Sequence, residues 1–229
     1  MIVATRNEGK VREIRRALKG LGLRIHALNK FQNVPEVKED GKSFSENALK
    51  KARFYSRRFG KLAVADDSGL EVDVLNGSPG IYSARYAGKR ASDKENRKKL
   101  LIEMENIPIS KRRAGFRCVL AMVSPEGREA VVEGSCRGRI GLKEVGRRGF
   151  GYDPLFILFR YGKTMAQLTL EEKNRASHRG RALRKLRKII PKFQATFHDG
   201  CVTHACVPKR LPARSVLAKI GTSACRYER

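Results

Sequence analysis

Short apolar runs and helix-period segments alternate along the first third of this chain, and that alternation restricts the possible folds more than any other feature. Ile2 to Thr5 is long enough only for a short buried strand, and after the turn Arg6-Asn7-Glu8-Gly9 the residues Val11, Ile14, Ala17, Leu18 and Leu21 follow helical spacing. Leu23 to Ala27 reads as a second strand. Ser43 and Glu46 then form the pattern of a capping box ahead of Phe44, Ala48, Ala52, Tyr55 and Phe59, and Gly60 closes that helix. Leu62 to Ala65 is a third strand, expected to stop at the polar sequence Asp66-Asp67-Ser68-Gly69. Strands interleaved with helices define the α/β class, whose ligands gather at the carboxyl ends of strands.

The second half continues with another capping box, Ser92 and Glu95, before Leu100, Leu101 and Met104. Ala114, Phe116, Cys118, Leu120 and Met122 alternate as a long strand, turned at Ser124 to Arg128 into a hairpin with Glu129 to Glu133. A glycine-rich stretch from Gly134 to Gly151 leads to a segment at Leu155 to Phe159, and Ala182, Leu183, Leu186, Ile189 and Ile190 mark a last helix. A chain of 229 residues sits near the size at which one core begins to divide, so one α/β domain with two lobes is expected over residues 1–191. Residues 192–229 hold two Pro, three Cys and a basic cluster without sustained periodicity, and read as a weakly ordered basic C-terminal extension.

Lys and Arg outnumber Asp and Glu by 50 to 23, a net charge of +27 that favours phosphate-rich ligands and makes nucleic acid a candidate partner. A solvated basic surface accounts for the same charge. The basic stretches Arg179 to Lys188 and Lys209 to Arg214 lack interleaved aromatics for stacking bases, so only weak, non-specific nucleic-acid binding follows. Five cysteines, Cys118, Cys136, Cys201, Cys206 and Cys225, form an odd set unlike a secreted disulfide scaffold. With no apolar run near the ~20 residues of a membrane span and no signal-like N-terminus, a soluble cytoplasmic protein is expected.

Several strings carry chemistry. Thr5-Arg6-Asn7-Glu8-Gly9-Lys10 lies between a strand and a helix N-terminus, where free N–H groups and the helix dipole can hold a phosphate; mere connection is the competing reading. Asp66 and Asp67 at a strand end suit Mg²⁺, with Glu39 as a second ligand, or else one aspartate caps a turn and the other is solvated. Phe150-Gly151-Tyr152-Asp153 can sandwich a base or form a turn with core aromatics. Lys173 to Arg179, including His178, gathers donors for phosphate oxygens and a purine carbonyl edge. His198, Cys201, His204 and Cys206 offer zinc-type side chains at a spacing that matches no standard site.

In this order, Thr5 to Lys10, SFSENALKKA, ADDSGLEVDVLNGSPGIYSARYAG, GFGYDPLF and EEKNRASHRGRAL resemble the inosine triphosphate pyrophosphatase family across Met1 to Ile190. The resemblance implies a pyrophosphatase that converts non-standard purine triphosphates such as ITP, dITP and XTP to monophosphate and pyrophosphate. It implies Asp67 as general base and metal ligand, Glu39 as the other magnesium carboxylate, and substrate binding by Thr5, Arg6, Asn7, Glu8, Gly9, Lys10 and Ser68. Phe150, Gly151, Tyr152 and Asp153 match a nucleoside-binding segment, and Lys173, His178 and Arg179 a donor cluster for phosphate and base. An elongated mixed sheet flanked by helices, a cleft between two lobes and a homodimer are implied as well. Arg147 and Arg148 depart from the pattern, which either alters access of substrate or only adds phosphate attraction, and the segment after Lys192 has no counterpart. In the mechanism so implied, Asp67 takes a proton from the attacking water while Lys10 and Lys173 offset charge on the departing pyrophosphate. The alternative motivated by charge is a nucleic-acid-binding protein on a nucleotide-binding fold.

Overall fold

The computed structural model of the chain describes residues 1–195. Its strands are β1 (Ile2–Val3), β2 (His26–Ala27), β3 (Ala63–Val72), β4 (Arg113–Val123), β5 (Glu129–Ile140), β6 (Phe156–Leu158) and β7 (Lys163–Thr164). The helices are α1 (Glu8–Ala17), α2 (Phe44–Phe59), α3 (Asp93–Glu103), α4 (Leu170–Ala176) and α5 (His178–Ala195). All seven strands join one sheet in the order β2-β1-β3-β4-β5-β6-β7; β1 runs parallel to β2 and β3, and every later pairing is antiparallel.

Two lobes share this sheet. In the first, α1 and α5 cover one face through Val11, Ile14, Leu183 and Leu186, which pack on Val64, Leu120 and Met122. On the opposite face α2 lays Phe44, Ala48, Ala52 and Tyr55 against Ala63, Ala65, Val119 and Ala121. Odd and even positions of β3 and β4 thus feed different cores, as the two-residue period of a strand requires. The second lobe packs Leu70, Val72, Phe116, Cys136 and Ile140 with Tyr152, Phe156, Met165 and Leu100 of α3.

The third strand does not stop at the aspartates. β3 passes straight through Asp66 to Gly69 and on to Val72, pairing Asp66 with Leu120 and Asp67 with Val119. A buried carboxylate is tolerated in a strand when a cation neutralises it, and both aspartates have one. The glycine-rich stretch is likewise strand through Ile140. Its glycines allow close approach: a Cβ on Gly134 would lie 2.2 Å from the carbonyl oxygen of His178, so a larger residue there would push α5 off the sheet.

Other boundaries also shift. The strands expected at Ile2 to Thr5 and Leu23 to Ala27 shorten to two residues each. Ser92 and Glu95 form a complete capping box, whereas Glu46 accepts from Lys42 N rather than from the Ser43 N–H that the box requires. α5 runs beyond the boundary expected between residues 191 and 192: Phe193 is buried, its ring lies 4.8 Å from the guanidinium of Arg128, and its carbonyl accepts from the same group at 3.2 Å. The zinc-type cluster His198 to Cys206, and the weak order expected of the extension beyond Ala195, lie outside the described residues.

Candidate active site

Where the long strands pass from one lobe to the other, the surface opens into two joined compartments. The outer one, about 690 Å³, is lined by charged groups that include Lys10, Glu39, Lys51, Asp67 and Arg85. The inner one, about 100 Å³, is walled by Phe116, Phe150, Tyr152 and His178. Asn7, Lys10, Ser68 and Ala84 line both and form the junction.

The loop Thr5 to Lys10 splits between two roles. Asn7 caps α1, its side-chain oxygen accepting from Lys10 N at 3.0 Å, so Glu8, Gly9 and Lys10 already belong to the first helical turn. Thr5, Arg6, Asn7 and Lys10 line the outer compartment, while Glu8 is exposed and lines neither. Arg6 also donates to the carbonyl of Val34 at 2.6 Å. Gly9 lies against the aromatic wall: a Cβ there would sit 2.4 Å from the Phe150 ring.

Neither aspartate is solvated, and neither caps a turn. Asp66 is buried completely beneath four donors: Arg179 Nε at 2.7 Å, Lys10 Nζ at 2.5 Å, Ser68 Oγ at 2.9 Å and the Cys118 thiol at 3.2 Å. Burial alone would raise its pKa, but Arg179 and Lys10 outweigh it and hold the carboxyl well below the usual range. Asp67, one residue on, points to the α2 face, where Lys51 Nζ lies 3.3 Å from Oδ1. Its Oδ2 is buried with no hydrogen-bond partner among the described residues. Burial, with help from Glu39 and Asp66, raises the Asp67 pKa against the opposing pull of Lys51 and Lys10.

Lys51 ties this face together. Its ammonium donates to Glu39 Oε1 at 2.7 Å and to the carbonyl of Asp66 at 2.9 Å, besides touching Asp67. Burial opposes its charge, yet Asp67 and Glu39 raise its pKa, so it stays protonated. Glu39 and Asp67 fit a hard divalent cation. Among the described residues Asp67 offers an unpartnered buried anionic oxygen, Glu39 Oε2 accepts no hydrogen bond and faces Arg85 at 3.9 Å, and two carboxylates are what Mg²⁺ takes when substrate phosphates and water complete its shell.

Around the inner pocket, six charged side chains alternate in sign. Asp153 meets Lys173 at 2.5 Å, Lys173 meets Glu13 at 2.7 Å, Glu13 meets Arg179 at 2.7 Å, and Arg179 leads through Asp66 to Lys10. Arg179 donates through Nε and Nη2 to Asp66, through Nη1 to Glu13 and through its other Nη2 hydrogen to Ser68, which leaves one Nη1 hydrogen for a ligand. Lys173 lies 4.5 Å from the centre of the Phe150 ring and does not line either compartment. His178 is buried and stacks on Phe116 at 4.6 Å; burial first, then Arg179 and Lys173, hold its pKa well below the usual value and keep the ring neutral. Asp153 accepts from Phe150 N at 2.9 Å and closes the turn that carries the aromatic wall; Gly151 and Tyr152 also line the inner pocket.

Most of the residues singled out in the sequence therefore converge, whereas Glu8 faces solvent and Gly9 and Lys173 stand behind the cleft surface. Glu13, Lys51, Ser83, Arg85 and Phe116 were not anticipated. Glu13 had a signal: it follows Lys10 by three positions and precedes Ile14 on the buried stripe of α1, where a carboxylate needs a partner. Lys51 lay inside SFSENALKKA at a helix position that faces the sheet.

Residues 1–189 match the model of the Ham1 family. A dITP/XTP pyrophosphatase of Geobacter sulfurreducens is 52% identical over 187 residues, covering 82% of this chain and 94% of that protein. One from Bacillus cereus is 48% identical over 195 residues, covering 84% and 95%. Among solved structures, the Ham1 protein of Staphylococcus aureus aligns with a TM-score of 0.74 at 38% identity, covering 84% of this chain and 98% of that one. A HAM1 protein from Coxiella burnetii gives 0.75 at 38% identity, covering 83% and 98%.

Proposed function

The chain belongs to the Ham1 family, and from that premise we propose that it hydrolyses non-standard purine nucleoside triphosphates, dITP, XTP and ITP, to the monophosphate and pyrophosphate. The observation that carries this reading is the pairing of compartments. A small aromatic pocket suited to a base opens onto a charged space holding an unpartnered carboxylate oxygen, with Lys10 and Ser68 at the junction. A nucleotide laid across the two puts its base among Phe116, Phe150 and His178 and its phosphates between Lys10, Lys51 and Arg85. The competing nucleic-acid reading is not favoured, because these aromatic side chains wall a small pocket instead of forming an open platform for successive bases.

Asp67 is the base in this scheme. Its Oδ2 is free to accept the proton of a water that attacks the α-phosphorus, and its raised pKa brings it closer to the value at which proton transfer is efficient. Lys10 and Lys51 face the outer compartment and offset charge on the departing pyrophosphate. Lys173, held by Glu13 and Asp153, positions the aromatic wall and Arg179 and does not reach the phosphates. Glu39 and Asp67 would hold a magnesium ion, which when bound supplies charge neutralisation and Lewis acidity at the phosphates. A homodimer working in the cytoplasm completes the reading. Both the dimer and its location rest on the family resemblance; among the described residues Cys118 and Cys136 are buried free thiols, and no helix is long and apolar enough to cross a membrane.

Base choice follows from donors. Hypoxanthine and xanthine present a 6-oxygen that the neutral His178 ring and the remaining Arg179 hydrogen can meet, whereas adenine turns amino hydrogens toward those donors. Each unsatisfied buried group costs about 1–3 kcal/mol, so several together give a selectivity of roughly 10² to 10⁴. Steady-state kcat/KM for ITP, XTP, ATP and GTP, with pyrophosphate as the measured product, tests this. Comparable values for ITP and ATP, or release of orthophosphate instead, would overturn the assignment.

A further inference from the structure

The Phe150 ring is a wall shared by two spaces: the inner pocket and a separate recess of about 560 Å³ that the proposed reaction leaves unused. Arg12 of α1 and Arg147 and Arg148 of the loop before Phe150 line this recess, all three exposed, over an apolar floor that includes the buried Met165 and Leu168. The nearby carboxylates are already engaged. Glu13, which lines the recess together with Lys173, is held by Lys173 and Arg179, Glu171 by Arg16, and Glu172 accepts from Thr169 N at 2.7 Å. Among the described residues no carboxylate pairs with Arg12, Arg147 or Arg148; Arg148 alone gives one bond, to the carbonyl of Gln167 at 3.4 Å.

The loop that carries two of these arginines is fixed. Val145 N donates to the carbonyl of Pro154 at 2.9 Å, Thr164 Oγ1 to that of Val145 at 2.7 Å, and Arg148 N to that of Ala166 at 3.1 Å. Gly149 stands at φ +83°, and a Cβ there would overlap the Asp153 carboxylate. Guanidinium groups from three positions line this one recess, and a multiply charged anion can meet more than one of them at once. Their planar forks match phosphate oxygens.

We propose that this recess is a second anion site that takes an oligophosphate, either free pyrophosphate or the phosphate chain of a nucleotide. The site is outside the cleft, yet Phe150 borders both, so an occupant bears on the wall that holds the base.

Equilibrium dialysis of the full chain in metal-free buffer tests the proposal, with radiolabelled inorganic pyrophosphate in one arm and an α,β-imido analogue of ITP in the other. The double substitution Arg147→Ser, Arg148→Ser should remove one bound pyrophosphate per chain by weakening that site at least about tenfold, while the melting midpoint stays at the parental value. Arg147→Lys with Arg148→Lys keeps the charge without the fork and should fall between the two. If the analogue also loses one bound equivalent, the source includes nucleotides; if pyrophosphate alone does, the site takes the free anion. Equal stoichiometry and affinity in parent and double serine variant would overturn the proposal, as would a loss confined to binding of a mixed-sequence RNA.

Discussion

Asp66 and Asp67 are adjacent residues of one type on one strand, and the two faces of that strand treat them in opposite ways. On the α5 face Asp66 is surrounded by donors, its charge locked in place. On the α2 face Asp67 is buried nearly as deeply but keeps one oxygen without a partner and an elevated affinity for protons. A saturated carboxylate organises its neighbours and does little chemistry, whereas an under-satisfied one is available to a proton or a cation. Pairs of acids pushed apart by their surroundings divide labour in this way.

Substituting each in turn separates the two environments. Asp67→Asn is expected to lower kcat by about 10² to 10⁴ without lowering the melting midpoint, because the amide keeps the shape but can neither take the proton nor supply full charge to a cation. Steady-state assay beside thermal unfolding checks both halves. Asp66→Asn should do the reverse in character, costing about 3 kcal/mol of stability, since Arg179 and Lys10 lose the charge that balances their burial. Denaturant unfolding reads that loss, and a variant as stable as its parent would show the donor shell to be dispensable.

Acid unfolding in a metal-free buffer sharpens the contrast. Asp66 and Glu13 have folded pKa values below their unfolded ones, so the stability they contribute is present above the ordinary carboxylate range and is lost as pH falls through the lowered values. Asp67 has the opposite sign: its contribution is complete below its unfolded value near 3.8 and is lost as pH rises through the raised folded value. Asp67→Asn should therefore raise stability at neutral pH relative to acid, and Asp66→Asn should flatten the acid limb. The smallest effect is a control on α5 outside the cleft: Phe193→Ala should cost about 2 kcal/mol by removing a ring from the edge of the core beneath α5, with kcat/KM for ITP unchanged.

The sequence made the layers of this fold readable because apolar period distinguishes strand from helix, as in Ala114 to Met122 and in α2. It misplaced the end of β3 for a physical reason. A polar run normally ends a buried strand, and nothing local in Asp66-Asp67-Ser68-Gly69 reveals that Arg179, 113 residues away, will neutralise it. The site was legible as a set of strings, Thr5 to Lys10, the aspartates, Phe150 to Asp153 and Lys173 to Arg179. Roles within the set were less so. Arg179 and Lys173 look like free donors until Glu13 and Asp153 are seen to hold them, and such long-range pairings leave no periodic trace.

The continuity of β3 and β4 carries a mechanical consequence. Ten consecutive residue pairs, from Ala63 with Val123 to Val72 with Ala114, form an unbroken ladder of about 33 Å that crosses beneath the cleft. Swinging one lobe against the other would shear those rungs, so the sheet is a beam and has no hinge. Grip on a nucleotide has to come from what stands on the beam: the Gly80–Arg85 turn, the Phe150 loop and the ends of long side chains. With the Phe150 loop tied down through Val145 and Arg148, the adjustment left is that of side chains, which favours fast capture and release over the slow closing of jaws.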